Sequence, residues 1–383
     1  TRVLLTRGLV SAGRRQCIPG ARGDLVLLDT LSVLVHLSQL DLCPLQVLLR
    51  REPQRARHRS VMGDDVLLAG TNITDVAQST TANTLADNSR IFSITSKTAD
   101  TTLQALTLTG GHTTTTFDAG GAVNSLAALT LTNSTVSGNS TAGFGAEAGG
   151  IYGATTITLT NSTMSGNSTA GLASPGGGIF TFGSVTLTNS TVSGNATIGG
   201  SSNGGGIYVI DSLTLTNSIV LGNDSAQTTS DEAFVSNTLT TIGGNIVGSD
   251  VYSGATKIGT TTAADVFAQT TANGAATAGV LANNGGPVNT VALKIDASFS
   301  NPALDASNAS APALDAAGQA RVDLTNVANV NGSAADLGAL EAKEVPSLVV
   351  TTNLDVVNAF DGLISLREAV AFANTHAGAD TIT

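Results

Sequence analysis

The stretch Leu129-Thr-Leu-Thr-Asn-Ser-Thr-Val-Ser-Gly-Asn139 decides the fold, because the chain repeats it. It returns as Ile157-Thr-Leu-Thr-Asn-Ser-Thr-Met-Ser-Gly-Asn167 and as Val185-Thr-Leu-Thr-Asn-Ser-Thr-Val-Ser-Gly-Asn195. A fourth copy reads Leu213-Thr-Leu-Thr-Asn-Ser-Ile-Val-Leu-Gly-Asn223. The first Asn of each, Asn133, Asn161, Asn189 and Asn217, sets a period of 28 residues. A second phrase keeps that spacing: Gly149-Gly-Ile-Tyr152, Gly177-Gly-Ile-Phe180, Gly205-Gly-Ile-Tyr208. A fixed period of roughly 20–50 residues marks a solenoid, propeller or array and outranks any local reading.

Within each copy apolar residues alternate with Thr, which is the period of a strand and not of a helix. Three strand pieces are expected per period: Gly-Gly-Ile-Tyr, Leu-Thr-Leu-Thr and Thr-Val-Ser. Asn-Ser, Gly-Asn and the Gly-rich run supply the bends between them. That is the plan of an all-β, right-handed parallel β-helix with about 28 residues per coil. A propeller blade needs roughly 40–50 residues and fits less well. In a β-helix each strand pairs with its counterpart one coil away, about 4.7–4.9 Å along the axis. Leu131, Leu159, Leu187 and Leu215 then form one inward column, and Val136, Met164, Val192 and Val220 another. Asn133, Asn161, Asn189 and Asn217 are expected to form an amide ladder at a corner.

Composition narrows the function. The 383 residues carry a net charge of −11, are only 12 % charged and 3 % aromatic, and contain no Trp. A nucleic-acid partner would need a basic stripe, so that class is set aside. Residues 1–60 stand apart, with ten Arg against four acids and both cysteines, Cys17 and Cys43. The segment is thus +6 and leaves −17 for the rest. Its apolar run from Leu25 to Leu49 is interrupted by Asp29, His36, Asp41 and Pro44, so no membrane span is expected. No clean signal-peptide cleavage site follows either. Residues 1–61 therefore read as an atypical leader, foreign or disordered, with Met62 as the expected start. No thiolate or disulfide supports the repeats themselves.

The β-helix is expected over residues 62–250. Leu106-Thr-Leu-Thr109 stands 23 residues before Leu129, which suggests an early coil shortened by a loop. Val235 and Asn245 still fall on the 28-residue register after the repeat decays. Residues 251–345 form an irregular β closing segment, and 346–383 begin another unit after a linker at Glu341-Ala-Lys-Glu-Val-Pro346. Ser365-Leu-Arg-Glu368 is a capping box, predicting a short helix through Asn374.

Two stretches resemble known bacterial families. Leu281-Ala-Asn-Asn-Gly-Gly-Pro-Val-Asn-Thr-Val-Ala-Leu293, Asn301-Pro-Ala-Leu-Asp305 and Ala335-Asp-Leu-Gly-Ala-Leu-Glu341 resemble the C-terminal segment of the choice-of-anchor Q family. Here the spacer is expanded and holds a second Pro312-Ala-Leu-Asp315. Val349-Val-Thr-Thr-Asn-Leu-Asp355, Asp361-Gly-Leu-Ile-Ser-Leu-Arg-Glu-Ala369 and Ala379-Asp-Thr-Ile382 resemble a CSLREA domain, with Ile364 in place of the Cys of that motif. The resemblance implies a slice of a larger bacterial surface protein, and a capping role for the C-terminal helix.

The chemistry is sparse. Carbohydrate-active β-helix enzymes use clustered acids, often with Lys or Arg, yet no Lys or Arg lies between Lys97 and Lys257, and His112 is the only His there. The acids of the regular coils are Glu147, Asp211 and Asp224, followed by Asp231 and Glu232. Glycoside hydrolysis needs two carboxylates about 5–10 Å apart, and Asp211 with Asp224 is the one pair within a regular coil. The nonapeptide of calcium-binding rolls is absent, and Gly243-Gly-Asn-Ile-Val-Gly-Ser-Asp250 only echoes it. Thr130/Thr132, Thr158/Thr160, Thr186/Thr188 and Thr214/Thr216 form two outward hydroxyl columns. Such arrays resemble the ice-binding face of some solenoids, although Thr is a favoured outward strand residue in any case. The column Tyr152, Phe180, Tyr208 fills space or meets sugars. These features favour a secreted or surface-attached, non-catalytic, structural or adhesive solenoid, monomeric within a larger chain and without cofactor. Glycans or host matrix proteins are its expected partners. The alternative is a polysaccharide lyase or hydrolase, and ice binding stands third.

Overall fold

The computed structural model describes residues 90–383 except 99, 228–230, 249–250, 253–260, 296–299, 325–326, 344–347, 356, 358–363 and 375–380. It also gives the earlier strands Ser60–Val61, Val66–Ala69 and Asn72–Thr74. The Arg-rich leader and both cysteines, strand Ser60–Val61 aside, lie outside the described residues.

The chain winds into a parallel β-solenoid of about five turns with about 28 residues per coil. One coil carries Ile151–Gly153, Ile157–Thr160, Thr163–Ser165 and Ser168–Thr169. There are thus four strands, where three were expected. The fourth is only two residues long, between left-handed Gly166 (φ 66°) and the Gly-rich corner, so it shows no alternation in sequence. Stacking builds a first sheet of eight strands, second and third sheets of seven, and a fourth of five. Every pairing between coils is parallel, as in Ile157↔Val185 and Leu159↔Leu187.

The core follows from that register. Leu103, Leu131, Leu159, Leu187 and Leu215 stack in the second sheet, and Leu108, Val136, Met164, Val192 and Val220 in the third. All are buried. At about 25 cal/mol per Å2 of apolar area removed from water, such columns are what hold an aromatic-poor solenoid together.

Two register expectations are corrected. Leu106-Thr-Leu-Thr109 does not align with Leu129-Thr-Leu-Thr132; Thr107 pairs with Thr135 and Leu108 with Val136, a full 28 residues on. The true counterpart of Leu129–Thr132 is Thr101–Gln104. A Leu-Thr alternation satisfies either sheet, so the phrase alone cannot say which strand it is. At the other end Val235 pairs with Val209, not Ile207, because the corner before Ala233 is two residues shorter. Asn245 comes level with Ser218, accepting its backbone N–H at 2.8 Å.

The described residues of 263–343 pack along the outside of the third sheet. Ile219 and Leu221 join Phe267, Leu293, Leu304 and Leu337 in a second hydrophobic cluster. Farther along the axis, Thr135 donates to the Asn289 carbonyl (2.5 Å), Thr191 Oγ1 accepts from Ala339 (3.1 Å) and Ser193 Oγ from Gly279 (3.0 Å). Both faces of the third sheet are therefore buried at strands Thr135–Ser137, Thr163–Ser165 and Thr191–Ser193. Glu341 and Ala342 belong to this segment and are buried in it, so no linker begins at Glu341.

The short C-terminal helix spans Leu366–Ala373, opened by Ser365 and Glu368 as a capping box and closed at Asn374. Hydrogen bonds join its segment to itself, Thr351 to the Ile364 carbonyl and Val350 to that of Thr383. Among the described residues no helix is long and apolar enough to cross a membrane.

Candidate functional site

The second sheet presents the Thr columns. Thr102, Thr130, Thr158, Thr186, Thr214 and Thr240 pair in unbroken register. Beside them run Gln104, Thr132, Thr160, Thr188, Thr216 and Ile242. The Thr side chains of the regular coils are half-buried, except Thr216, which is buried. Strand alternation sends the intervening Leu inward and leaves the hydroxyls as a regular polar surface.

The corner asparagines behave otherwise than expected. Asn133, Asn161, Asn189 and Asn217 take left-handed backbone conformations (φ 49°, 46°, 42° and 51°), which Asn tolerates better than most residues. Only Asn217 and Asn189 bond each other, at 3.2 Å. Asn161 donates to the Leu314 carbonyl (2.7 Å), Asn189 to that of Asp336 (3.2 Å), and Asn217 to Asn308 Oδ1 (3.0 Å). These amides are thus a seam that receives the closing segment. Asn133 Oδ1 is buried without a partner. The next residue ladders this corner instead: the N–H groups of Ser134, Ser162 and Ser190 each donate to the Ser hydroxyl one coil on, at 3.2 Å.

The amide ladder stands at Asn139, Asn167, Asn195 and Asn223, all fully buried. Their side chains bond in sequence at 2.9, 2.8 and 2.9 Å, and each Oδ1 also accepts the backbone N–H of the preceding rung. The ladder ends on Glu232. Its carboxyl accepts from Gly222 N (2.7 Å), Asn223 N (3.2 Å) and Asn223 Nδ2 (2.7 Å). Burial pushes this carboxyl up to about 8, against the pull of those donors. Glu232 lies off the 28-residue register, so the sequence names it only as a coil acid and gives no sign of its place at the end of the ladder.

The remaining acids are dispersed or structural. Asp211 accepts from Ser184 Oγ (2.7 Å) at the corner between first and second sheets. Asp224 sits in the fourth sheet and accepts from Ala275 N (3.1 Å). The acidic pair of the regular coils is therefore split, Asp211 at a corner and Asp224 in the fourth sheet. A denser cluster lies in the closing segment, where Asp305, Asp315, Asp336 and Glu341 are all buried. Arg321 bonds Glu341 (3.0 Å) and reaches across to Asn161 Oδ1 (3.1 Å). Backbone N–H groups occupy the other oxygens: Ala342 and Asp305 on Asp336, Val322 on Glu341, Leu324 on Asp305. Burial raises Asp336 well above the usual carboxyl range, helped by the neighbouring charge of Glu341, and raises Asp305 to about 7. Burial also raises Glu341, while Arg321 pulls it back. This is the chemistry of a polar staple. Among the described residues no three His, Cys, Asp or Glu side chains are arranged to hold a metal ion.

On the first sheet Tyr152, Phe180, Tyr208 and Phe234 stack, with ring centroids 5.6, 5.2 and 4.5 Å apart and planes within 13° of parallel. The rings cover one another's faces. Phe182 stands at right angles to Tyr152 and Phe180, and Phe117 packs edge-on to Phe144 at 5.8 Å. These three flanking rings escaped the sequence reading because none belongs to the repeated phrases. Comparison of the chain with protein-family models, curated proteins and solved structures gives no match in any of the three.

Proposed function

We propose that this chain is a non-catalytic, structural or adhesive β-helix segment of a larger extracellular or cell-surface bacterial protein. One observation carries the reading: across the regular coils the second sheet presents columns of Thr side chains, with no carboxylate among its paired residues. A hydrolase or lyase site needs acids that converge. Here Asp211 stands at a corner and Asp224 in the fourth sheet, each with its own partner. The choice-of-anchor and CSLREA resemblances agree with a surface role. A rigid, regular solenoid suits a stalk or a repeated binding face, since each coil contacts only its neighbours and length is added by repetition.

The test is a binding screen of the full chain against a glycan array and immobilised extracellular-matrix proteins, with and without calcium. Specific retention without turnover is the expected outcome. Cleavage of any glycan, abolished in Asp211→Asn or Asp224→Asn, would replace this reading with a carbohydrate-active enzyme.

A further inference from the structure

All seven aromatic residues between 117 and 234 lie on the first sheet or on the two corners that flank it. The stacked column forms the floor. On one side stand Phe117 (69 % exposed) and Phe144 (50 %), with Leu172 one coil farther, and on the other Phe182 (52 %). Phe117 packs on Phe144, and Phe182 on the column; exposed apolar groups gathered in this way are seldom without a use.

Phe117 bears an independent mark. It holds a left-handed backbone (φ 59°), a conformation that bulky residues avoid. Its equivalents one, two and three coils on are Gly145, Ala173 and Ser201, all small. Its ring lies over Gly145, where any added Cβ would meet it at 2.5 Å. A strained, exposed aromatic that folding does not need points to a surface function.

We propose that the first sheet is a binding face for a neutral polysaccharide laid along the solenoid axis, with Phe117, Phe144 and Phe182 as its platforms. This rests on the adhesive reading above and names its ligand class and site. The C–H-rich face of a sugar ring is attracted to the negative face of an aromatic ring. The column cannot supply that contact, because its rings face each other; the three flanking rings can. Sugar hydroxyls find partners alongside, in Glu147, whose charge is felt by the Tyr152 phenol, and in Asp211 and Ser184. Charge selects against acidic polymers: Arg90, which reaches Asp118 beside Phe117, is buried in that ion pair, and no Lys or Arg lies between Lys97 and Lys257. The coils from Phe117 to Tyr208 span about 15–20 Å at the usual strand spacing, room for a short run of sugar residues.

The experiment is affinity electrophoresis of the full chain in gels containing xylan, galactomannan or mixed-linkage β-glucan, with polygalacturonate as the acidic contrast. Immobilised matrix proteins are probed with the same samples. The chain is expected to be retarded by at least one neutral polymer and not by polygalacturonate. The triple variant Phe117→Gly, Phe144→Ala, Phe182→Ala should bind about tenfold more weakly. Phe117→Gly alone should melt no lower than the parent, since Gly accepts the backbone, so weaker binding by that variant cannot be blamed on unfolding. Val330→Ala, an exposed apolar residue of the closing segment, should bind as the parent does. Retardation by polygalacturonate, unchanged binding in the triple variant, or no neutral polymer bound overturns the proposal. If matrix proteins are still held in that event, the adhesive reading stands without it. If neither arm binds, both fall and a purely structural role remains.

Discussion

Asn223 donates its backbone N–H and its side-chain Nδ2–H to the same oxygen of Glu232, at 3.2 and 2.7 Å. A carboxyl from the shortened final corner thereby takes the place of the next amide rung. Ladder amides all point one way, so the last one leaves two donors facing the end of the stack. Buried donors without acceptors are costly, and Glu232 meets both.

Glu232 is raised from the ordinary carboxyl range to about 8 by burial. Below that ordinary range folded and unfolded chains both bind its proton; between about 4.5 and about 8 only the folded chain does. Stability from this group is thus full at acid pH and is lost as pH rises through about 8. Glu232→Gln keeps an acceptor for Asn223 and removes the titration. Melting temperatures from pH 5 to 9 should fall less steeply in the variant than in the parent. Some slope will remain, since Asp305 is raised to about 7. Equal slopes would mean that Glu232 does not titrate in this window.

The two asparagine columns should respond in opposite ways. Asn195→Ala removes the acceptor of two Asn167 donors and should cost about 2–4 kcal/mol. Asn133→Gly discards an unpartnered Oδ1 and relieves a left-handed backbone, so it should be neutral or stabilising by up to about 1 kcal/mol. Urea denaturation of both variants decides. Comparable losses would contradict the assignment of the ladder to the Gly-Asn position.

Arg321 is the one cation inside the acidic staple, and it also reaches Asn161 on the solenoid. Arg321→Met leaves Glu341 buried without its counter-ion, at a cost of about 3–5 kcal/mol. Hydrogen exchange should rise over residues 303–342 and at the Asn161 corner, while the Leu159 column stays protected. Exchange that rises evenly along all coils would show that the closing segment does not dock as a separate layer.

Thr163 and Thr191 occupy equivalent places on the third sheet, both beneath the closing segment. Thr163 Oγ1 is buried without a partner, whereas Thr191 Oγ1 accepts from Ala339. Thr163→Val should therefore stabilise by on the order of 1 kcal/mol, and Thr191→Val should destabilise by about as much. Chemical denaturation of the two single variants checks the sign. The same sign in both would mean that packing, not hydrogen bonding, controls this face.

The sequence by itself determined the parallel solenoid, the length of its coil and its inward columns. Those depend on side-chain alternation and a fixed period, both of which are local and repeat along the chain. It determined the C-terminal helix as well, since a capping box is closed within four residues. Only the tertiary structure decided which phrase belongs to which sheet. Leu106–Thr109 alternates as Leu129–Thr132 does, and only pairing one coil away places Leu108 over Val136. Tertiary structure also decided which asparagines form the ladder. Backbone handedness turns Asn133 and its equivalents toward the closing segment and leaves Asn139 and its equivalents inside. Glu232, Arg321 and the exposed Phe117, Phe144 and Phe182 act through neighbours remote in sequence or on corners outside the repeat. Nothing periodic records such contacts; they exist only once the coils are stacked.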